Sequence, residues 1–444
     1  MRLSLPLVTL LFVVFSILSC ADETGGLEEP DDPGVDVPDD FRLALSISPF
    51  STALLNEGVS FDGESDLVGL QSFYEGQGAT EIFARVSTQE QSPESAFVDR
   101  SLEGALERAG VANTLSMPLN VEISLFRSYG DVTCQTPPDF SDYPEIDVPG
   151  PWHELKLDQM TQALRAYGRL VAERVLAQGV EVNVWNIGNE VDFGTAGVAP
   201  QPLPGACDAD EGGADWYRSP DLVNPRIGEQ SIAHLMAGLT VSERVDWLES
   251  ELWPYAAKLM AAVADGVRQV DVDARFSTHI SNSYQPDFSV AFYDAMFEHG
   301  FEPDQLGLSF YPSAASEEIS AIQRVVALRD AVRRLSERFD RPVFIAEFAY
   351  PADEPSDGPF SDWGHAVSGY PLTDTGQEDL ARDLASWAAA KGVVGIRPWA
   401  PDLITAGWEA FALFNRLESG EAQARPALEA LLEGLENPDR EALP

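Results

Sequence analysis

Between Arg42 and Arg397 eight short apolar or mixed strand-like runs alternate with amphipathic helical runs. That order admits few folds, because a strand, a helix and a second parallel strand close only with the helix packed back over the sheet. The strand-like runs are Arg42–Ile47, Glu81–Val86, Asn120–Leu125, Val182–Glu190, Arg275–His279, Gln305–Phe310, Pro342–Ala346 and Gly392–Arg397. Helical spacing is plainest over Leu155–Gln178, where Leu157, Met160, Leu164, Leu170, Val171 and Val175 share a face. It recurs over Leu67–Tyr74, Ile232–Gln269 (read as two helices), Ser316–Phe339 and Thr375–Ala390. With no linker and no internal repeat, this predicts one α/β domain, a (β/α)8 TIM barrel over residues 41–436 with a short tail at 437–444. Its loops are enlarged at the C-terminal face. The longest, residues 192–227, is rich in Gly, Pro and Asp, and a loop of that length in a compact domain is usually functional.

The first 20 residues read as an export signal: Arg2, then almost unbroken apolar sequence from Leu3 to Leu18. Ile17-Leu18-Ser19-Cys20 resembles a lipobox, which makes Cys20 the expected lipidation site. Residues 21–40 are acidic and rich in Pro and Gly, the composition of a flexible tether. The expected location is a bacterial cell envelope, lipid-anchored at the outer membrane or surface, with plain secretion as the alternative. In an exported chain the two remaining cysteines, Cys134 and Cys207, are expected to form a disulfide. Net charge is −45, with three lysines against 25 arginines. That excludes nucleic acid as a partner, and also adhesion to anionic membrane through a basic patch. The anchor is then the sole membrane contact, and a monomer is expected. The chain has no Cys/His cluster with zinc spacing and no phosphate-binding glycine loop.

In a parallel barrel the site lies at the C-terminal ends of the strands. The fourth run, Val182–Ile187, ends in Gly188-Asn189-Glu190, and the seventh ends in Glu347. A buried strand that stops in an amide and a carboxylate is costly unless its tip opens into a site. Two carboxylates across a barrel mouth are what glycoside hydrolysis requires, one a protonated acid and the other, in retaining enzymes, an ionised nucleophile. The other strand ends supply Arg85 to hold Glu347 ionised, Tyr311 to donate to the same carboxylate and Asn189 to bind a sugar hydroxyl. They also supply His279, and Trp399 as a flat face under a sugar ring. Each has an ordinary structural role open to it: a helix-start carboxylate, a core Trp, a satisfied His, an Arg stem packed on apolar surface. Their coincidence at strand ends is what points to a site.

Several segments resemble a known family. Trp185-Asn186-Ile187-Gly188-Asn189-Glu190 is similar to the strand-four signature of retaining glycosidases whose acid and nucleophile sit on strands four and seven. Leu306–Pro312 (LGLSFYP), Glu347–Pro351 (EFAYP), Gly369–Gln377 (GYPLTDTGQ) and Gly407–Phe414 (GWEAFALF) resemble glycoside hydrolase family 53, the arabinogalactan endo-β-1,4-galactanases. The resemblance implies Glu190 as acid/base, Glu347 as nucleophile, an endo-acting retaining hydrolase on β-linked polysaccharide with galactan as first choice, and no organic cofactor. Alternatives are the same chemistry on mannan, glucan or xylan, and a non-catalytic surface glycan-binding lipoprotein on the same scaffold. Some members hold calcium after strand seven. Here residues 352–374 carry Asp353, Glu354, Asp357, Asp362 and Asp374, oxygen ligands of the kind Ca²⁺ takes, although in so acidic a chain a solvated loop is the preferred reading. The third strand runs on into Leu125–Asp131 (LFRSYGD), with Arg127 where the family has a histidine. Ser313–Ser316 (SAAS) replaces a Trp-His-Gly, and the loop after strand four is longer.

Overall fold

The computed structural model describes residues 41–90, 98–206, 222–316, 319–356, 358–405 and 407–444. The export signal, Cys20, the tether and Cys207 lie outside the described residues. Eight parallel strands form one curled sheet: β1 (Arg42–Leu43), β2 (Ile82–Val86), β3 (Leu119–Ile123), β4 (Val182–Ile187), β5 (Phe276–Ile280), β6 (Gln305–Phe310), β7 (Val343–Phe348) and β8 (Gly395–Pro398). β1 pairs with β8, and each later strand pairs with its neighbour in sequence. At the seam between β1 and β2, Thr80 N donates to Leu43 O (3.0 Å) and Phe83 N to Ser46 Oγ (2.9 Å). The expected (β/α)8 architecture is therefore present. β1 is shorter than the sequence suggests because a side-chain oxygen, that of Ser46, replaces the backbone ladder there.

Alternation along the strands sorts the residues into two layers. Ile82, Ala84, Val86, Leu119, Val121 and Ile123 belong to the large apolar core between sheet and helices. Their alternates point into the barrel, and most are polar: Arg85, Asn120, Glu122, Asn186, Ser277, His279 and Arg397, all buried. The interior also holds Phe83 and a small separate apolar cluster of Ala44, Phe344 and Ala346. At the N-terminal strand ends the interior closes on Glu81. Arg42 Nη1 lies 3.2 Å from it, and Asn120 Nδ2 (2.8 Å) and Asn183 Nδ2 (3.3 Å) donate to it. Arg42 Nη2 also reaches across the barrel to Gln305 Oε1, 2.5 Å away.

The helices follow local signals. Leu157–Leu176 packs on Trp253–Arg268 so closely that Gly168 and Gly266 sit against the backbones of Val263 and Arg165. The stretch expected as two helices is three: Ile232–Ala237, Val241–Glu251 and Trp253–Arg268. The extra break falls where Gly238 ends one helix and Thr240 starts the next in a reciprocal capping pair with Glu243. Ser320 and Gln323 form the same device, so the helix expected from Ser316 begins at Ala321. The tail after residue 436 docks through buried Leu443, whose carbonyl accepts from Arg329 Nη1 (3.1 Å).

Candidate active site

β4 delivers Glu190 through a tight turn. Gly188 has φ +82°, and a Cβ there would meet Val191 Cγ1 at 2.4 Å, so only glycine fits. Glu190 itself adopts the left-handed region, φ +46° and ψ +58°, which costs a residue with a Cβ about 1–2 kcal/mol. Its carboxyl is buried, and Val132 N approaches Oε2 at 3.4 Å. No arginine or lysine is paired with it among the described residues. Its pKa is held well above the ordinary 4.5, first by burial and then by the charges of Glu347, Asp131 and Asp192.

β7 delivers Glu347 through a β-bulge. Ser309 pairs with Glu347 directly after Leu308 pairs with Ile345, so Ala346 is an extra residue against β6. Against β8, Ala346 and Glu347 together face the single residue Arg397. Strict alternation would send Glu347 outward with Val343 and Ile345. The bulge turns Ala346 and Glu347 both inward, and Arg397 Nε takes up the Ala346 carbonyl at 2.6 Å. Around the carboxylate, Tyr311 donates its hydroxyl to Oε2 (2.6 Å) and Arg85 Nη2 stands 3.2 Å from Oε1. Burial raises the Glu347 pKa above its ordinary value, and Arg85, Arg397 and the Tyr311 hydrogen bond offset only part of that rise. Beneath it, Glu122 bridges Arg85 Nε (2.6 Å) and Arg397 Nη2 (3.5 Å). Burial opposes ionisation of Glu122, but Arg85 first, then Arg397 and the Ser124 hydroxyl, outweigh it and lower its pKa. Two buried arginines thus face two buried glutamates, each cation within reach of a carboxylate.

Every site residue expected on the described strands comes to this mouth. Asn189 accepts from Arg85 Nη2 (2.7 Å) and donates to Gly130 O (2.8 Å), which leaves one N–H for a ligand. His279 Nε2 is 3.8 Å from Glu347 Oε1, but burial pushes the imidazole pKa down to about 3, so it is neutral and makes no ion pair. Trp399 is half-buried, with the Arg85 guanidinium 4.4 Å from its ring centroid. Tyr311 packs against Trp363 at 5.1 Å. Arg127 turns away to Gln89 Oε1 (2.9 Å) and Asp139 (3.7 Å). In the 352–374 loop Asp357 lies outside the described residues and Asp374 pairs with Arg425. Among the described residues no three His, Cys, Asp or Glu side chains come together as metal ligands. Cys134 is buried and disulfide-bonded.

Sequence reasoning missed Glu122, Arg397, Asp192, Asp131 and Gln135. A charge within an otherwise apolar run was the available signal for Glu122, and a charge that ends the eighth run for Arg397. Asp192, buried beyond the Glu190 turn, accepts from Ser281 N (2.8 Å), Asn282 N (2.9 Å) and Asn282 Nδ2 (2.5 Å), and so ties the loops after β4 and β5 together.

A parallel barrel with one carboxyl whose pKa burial raises and a second held beside arginine has the arrangement that glycosidic bond cleavage uses. The family model described as "Glycosyl hydrolase family 53" matches residues 139–431, and the chain belongs to that family of glycosidases. An uncharacterized protein in the bgaB 5′ region of Niallia circulans is 31% identical over 140 residues, 30% of this chain and 36% of that protein. A probable arabinogalactan endo-β-1,4-galactanase A of Aspergillus tubingensis is 26% identical over 167 residues, 34% of this chain and 45% of that one. The chain thus spans less than half the length of these curated relatives. The family 53 catalytic domain of Ignisphaera aggregans shares the fold with a TM-score of 0.62 at 18% identity, over 90% of this chain and 99% of that one. A fungal β-1,4-galactanase does so at 0.61 and 17%, over 88% and 99%.

Proposed function

We propose that the protein is a retaining glycoside hydrolase acting on β-linked polysaccharide, with β-1,4-galactan as first choice. The observation that carries the reading is the asymmetry between two buried glutamates at the ends of β4 and β7. Among the described residues Glu190 faces no cation and its pKa is raised well above the ordinary value, whereas Glu347 has Arg85 and the Tyr311 hydroxyl to stabilise its charge. In the first step the Glu347 carboxylate attacks the anomeric carbon while Glu190 gives its proton to the departing sugar oxygen. In the second, Glu190 takes a proton from water as that water attacks the glycosyl ester, and Glu347 leaves as carboxylate. Negative charge passes from Glu347 to Glu190 and back, so the ester forms without a net change in buried charge. The family match and the galactanase among the relatives support galactan.

The test is turnover of a polysaccharide panel (β-1,4-galactan, mannan, glucan, xylan), with the anomeric form of new reducing ends followed by proton NMR. Galactan cleavage with retention is expected. Inversion sinks the mechanism, and preference for another glycan corrects the substrate while keeping the chemistry. Internal cleavage, seen as a rapid fall in viscosity, tests endo action. Lipidation at Cys20 and a Cys134–Cys207 disulfide complete the proposal. Mass spectrometry of the intact and unreduced protein checks both.

A further inference from the structure

The left-handed turn at Glu190 has to be held by something. The Asn189 and Glu190 carbonyls face the loop after β3, where one side chain meets both. Gln135 Nε2 donates to Asn189 O (2.8 Å) and lies 3.3 Å from Glu190 O. The same nitrogen donates to Asp131 O in its own loop (2.9 Å). Gln135 is fully buried, and its neighbours are fixed: Asp131 N donates to Cys134 O (2.9 Å) and Cys134 N to Asp131 O (3.1 Å). The Asp131 carboxylate accepts from Thr133 N (2.7 Å) and the Tyr129 hydroxyl (2.5 Å). The backbone of Val132, between them, is what approaches the Glu190 carboxyl. An amide suits this position because it supplies two N–H donors without charge. A lysine or arginine there would satisfy the same carbonyls but would favour the ionised form of Glu190 and weaken it as a proton donor.

We propose that Gln135 is the positioning residue of the proton donor: its carboxamide ties the loop after β3 to the Asn189–Glu190 peptide and so holds the Glu190 carboxyl at the barrel mouth. The proposal rests on the reading of Glu190 as acid/base. Gln135 touches no substrate, and its effect is confined to steps that need a proton delivered.

The experiment compares wild type, Gln135→Ala, Gln135→Asn and Glu190→Gln on β-1,4-galactan and on the phenyl and 2,4-dinitrophenyl β-glycosides of galactobiose, with a crystal structure of Gln135→Ala. Phenolate needs protonation to leave and dinitrophenolate does not. For Gln135→Ala, kcat/KM is expected to fall about 10–100-fold on galactan and the phenyl glycoside, the scale of a misplaced catalytic group. On the dinitrophenyl glycoside it stays within about threefold of wild type. The basic limb of the pH–rate profile moves, Gln135→Asn retains part of the rate, and Glu190 leaves the left-handed region in the crystal. An equal loss on both aryl glycosides, or an unchanged Glu190 backbone, overturns the positioning role. An inactive Glu190→Gln beside a fully active Gln135→Ala sinks that role alone. A fully active Glu190→Gln on galactan and the phenyl glycoside sinks the acid/base reading itself. The crystal structure tests the positioning whatever glycan is cleaved.

Discussion

Both ends of the barrel interior bury glutamate, and they treat it differently. At the floor Glu81 is closed in by Arg42, Asn120 and Asn183, and no carboxylate oxygen is left over for a ligand. At the mouth Glu347 shares its arginine with Glu122 and Asn189, and among the described residues Glu190 has no cation beside it. The floor satisfies its charge and so serves stability. The mouth leaves its charges partly unsatisfied, which costs stability and creates reactivity. Variants at the two ends should therefore separate, with activity lost at one and folding at the other.

The largest effect on turnover is expected from Glu347→Gln, which removes the proposed nucleophile; kcat on the preferred glycan should fall more than about 10⁴-fold. Steady-state assay with a circular dichroism control checks it, and a loss below tenfold would mean that the nucleophile lies elsewhere. Glu190→Gln comes next, at about 10²–10⁴-fold. The same variant should be more stable than wild type at neutral pH. Because the folded pKa of Glu190 lies above the ordinary 4.5, the folded state binds the proton more tightly than the unfolded state. Its contribution to stability is complete below about 4.5 and is lost as pH rises through the folded value. Glutamine escapes that loss, so its thermal midpoint should exceed wild type at pH 7 by about 1–3 °C and converge with it near pH 4. A midpoint below wild type at pH 7 would contradict the burial account.

Tyr311→Phe removes the hydroxyl that donates to Glu347. Hydrogen bonds to charged groups are worth about 1.5–3 kcal/mol, so kcat/KM should drop about 10–100-fold. The acid limb of the pH–rate profile should move to higher pH, because the ionised nucleophile has lost a stabilising partner; a downward shift would refute this. Glu81→Gln should change kcat/KM least, within about twofold, while leaving Arg42 buried without its counter-charge. That loss is worth about 3–5 kcal/mol in urea unfolding. A stable but inactive Glu81→Gln protein would erase the distinction between floor and mouth.

Much of this was legible in the order of residues. The eight strands, the long helices and both glutamates could be found because they rest on local periodicity and on polar residues that end apolar runs. Arg85, Asn189, His279, Tyr311 and Trp399 were found the same way and do meet at one mouth. Glu122 and Arg397 were passed over because a single charge inside a short strand has no local partner to reveal it. Their partner is each other and Arg85, across strands β3, β8 and β2. Gln135 and Asp192 sit in loops, where spacing predicts nothing about which backbone groups will need a donor or an acceptor.

The amino-acid sequence by itself determined the barrel and the chain positions of its two mouth glutamates, because strand–helix alternation and strand-end polarity are properties of short stretches. Which way those glutamates face was decided only in the folded molecule. Alternation along Val343–Phe348 would turn Glu347 out toward the helices, and the extra residue that turns it inward exists only relative to the ladders of β6 and β8. Glu190 likewise holds its left-handed turn against an amide 55 residues earlier in the chain. The mismatch of neighbouring ladders and the donor that meets a strained carbonyl are both relations between distant segments, and such relations exist only once the barrel has closed.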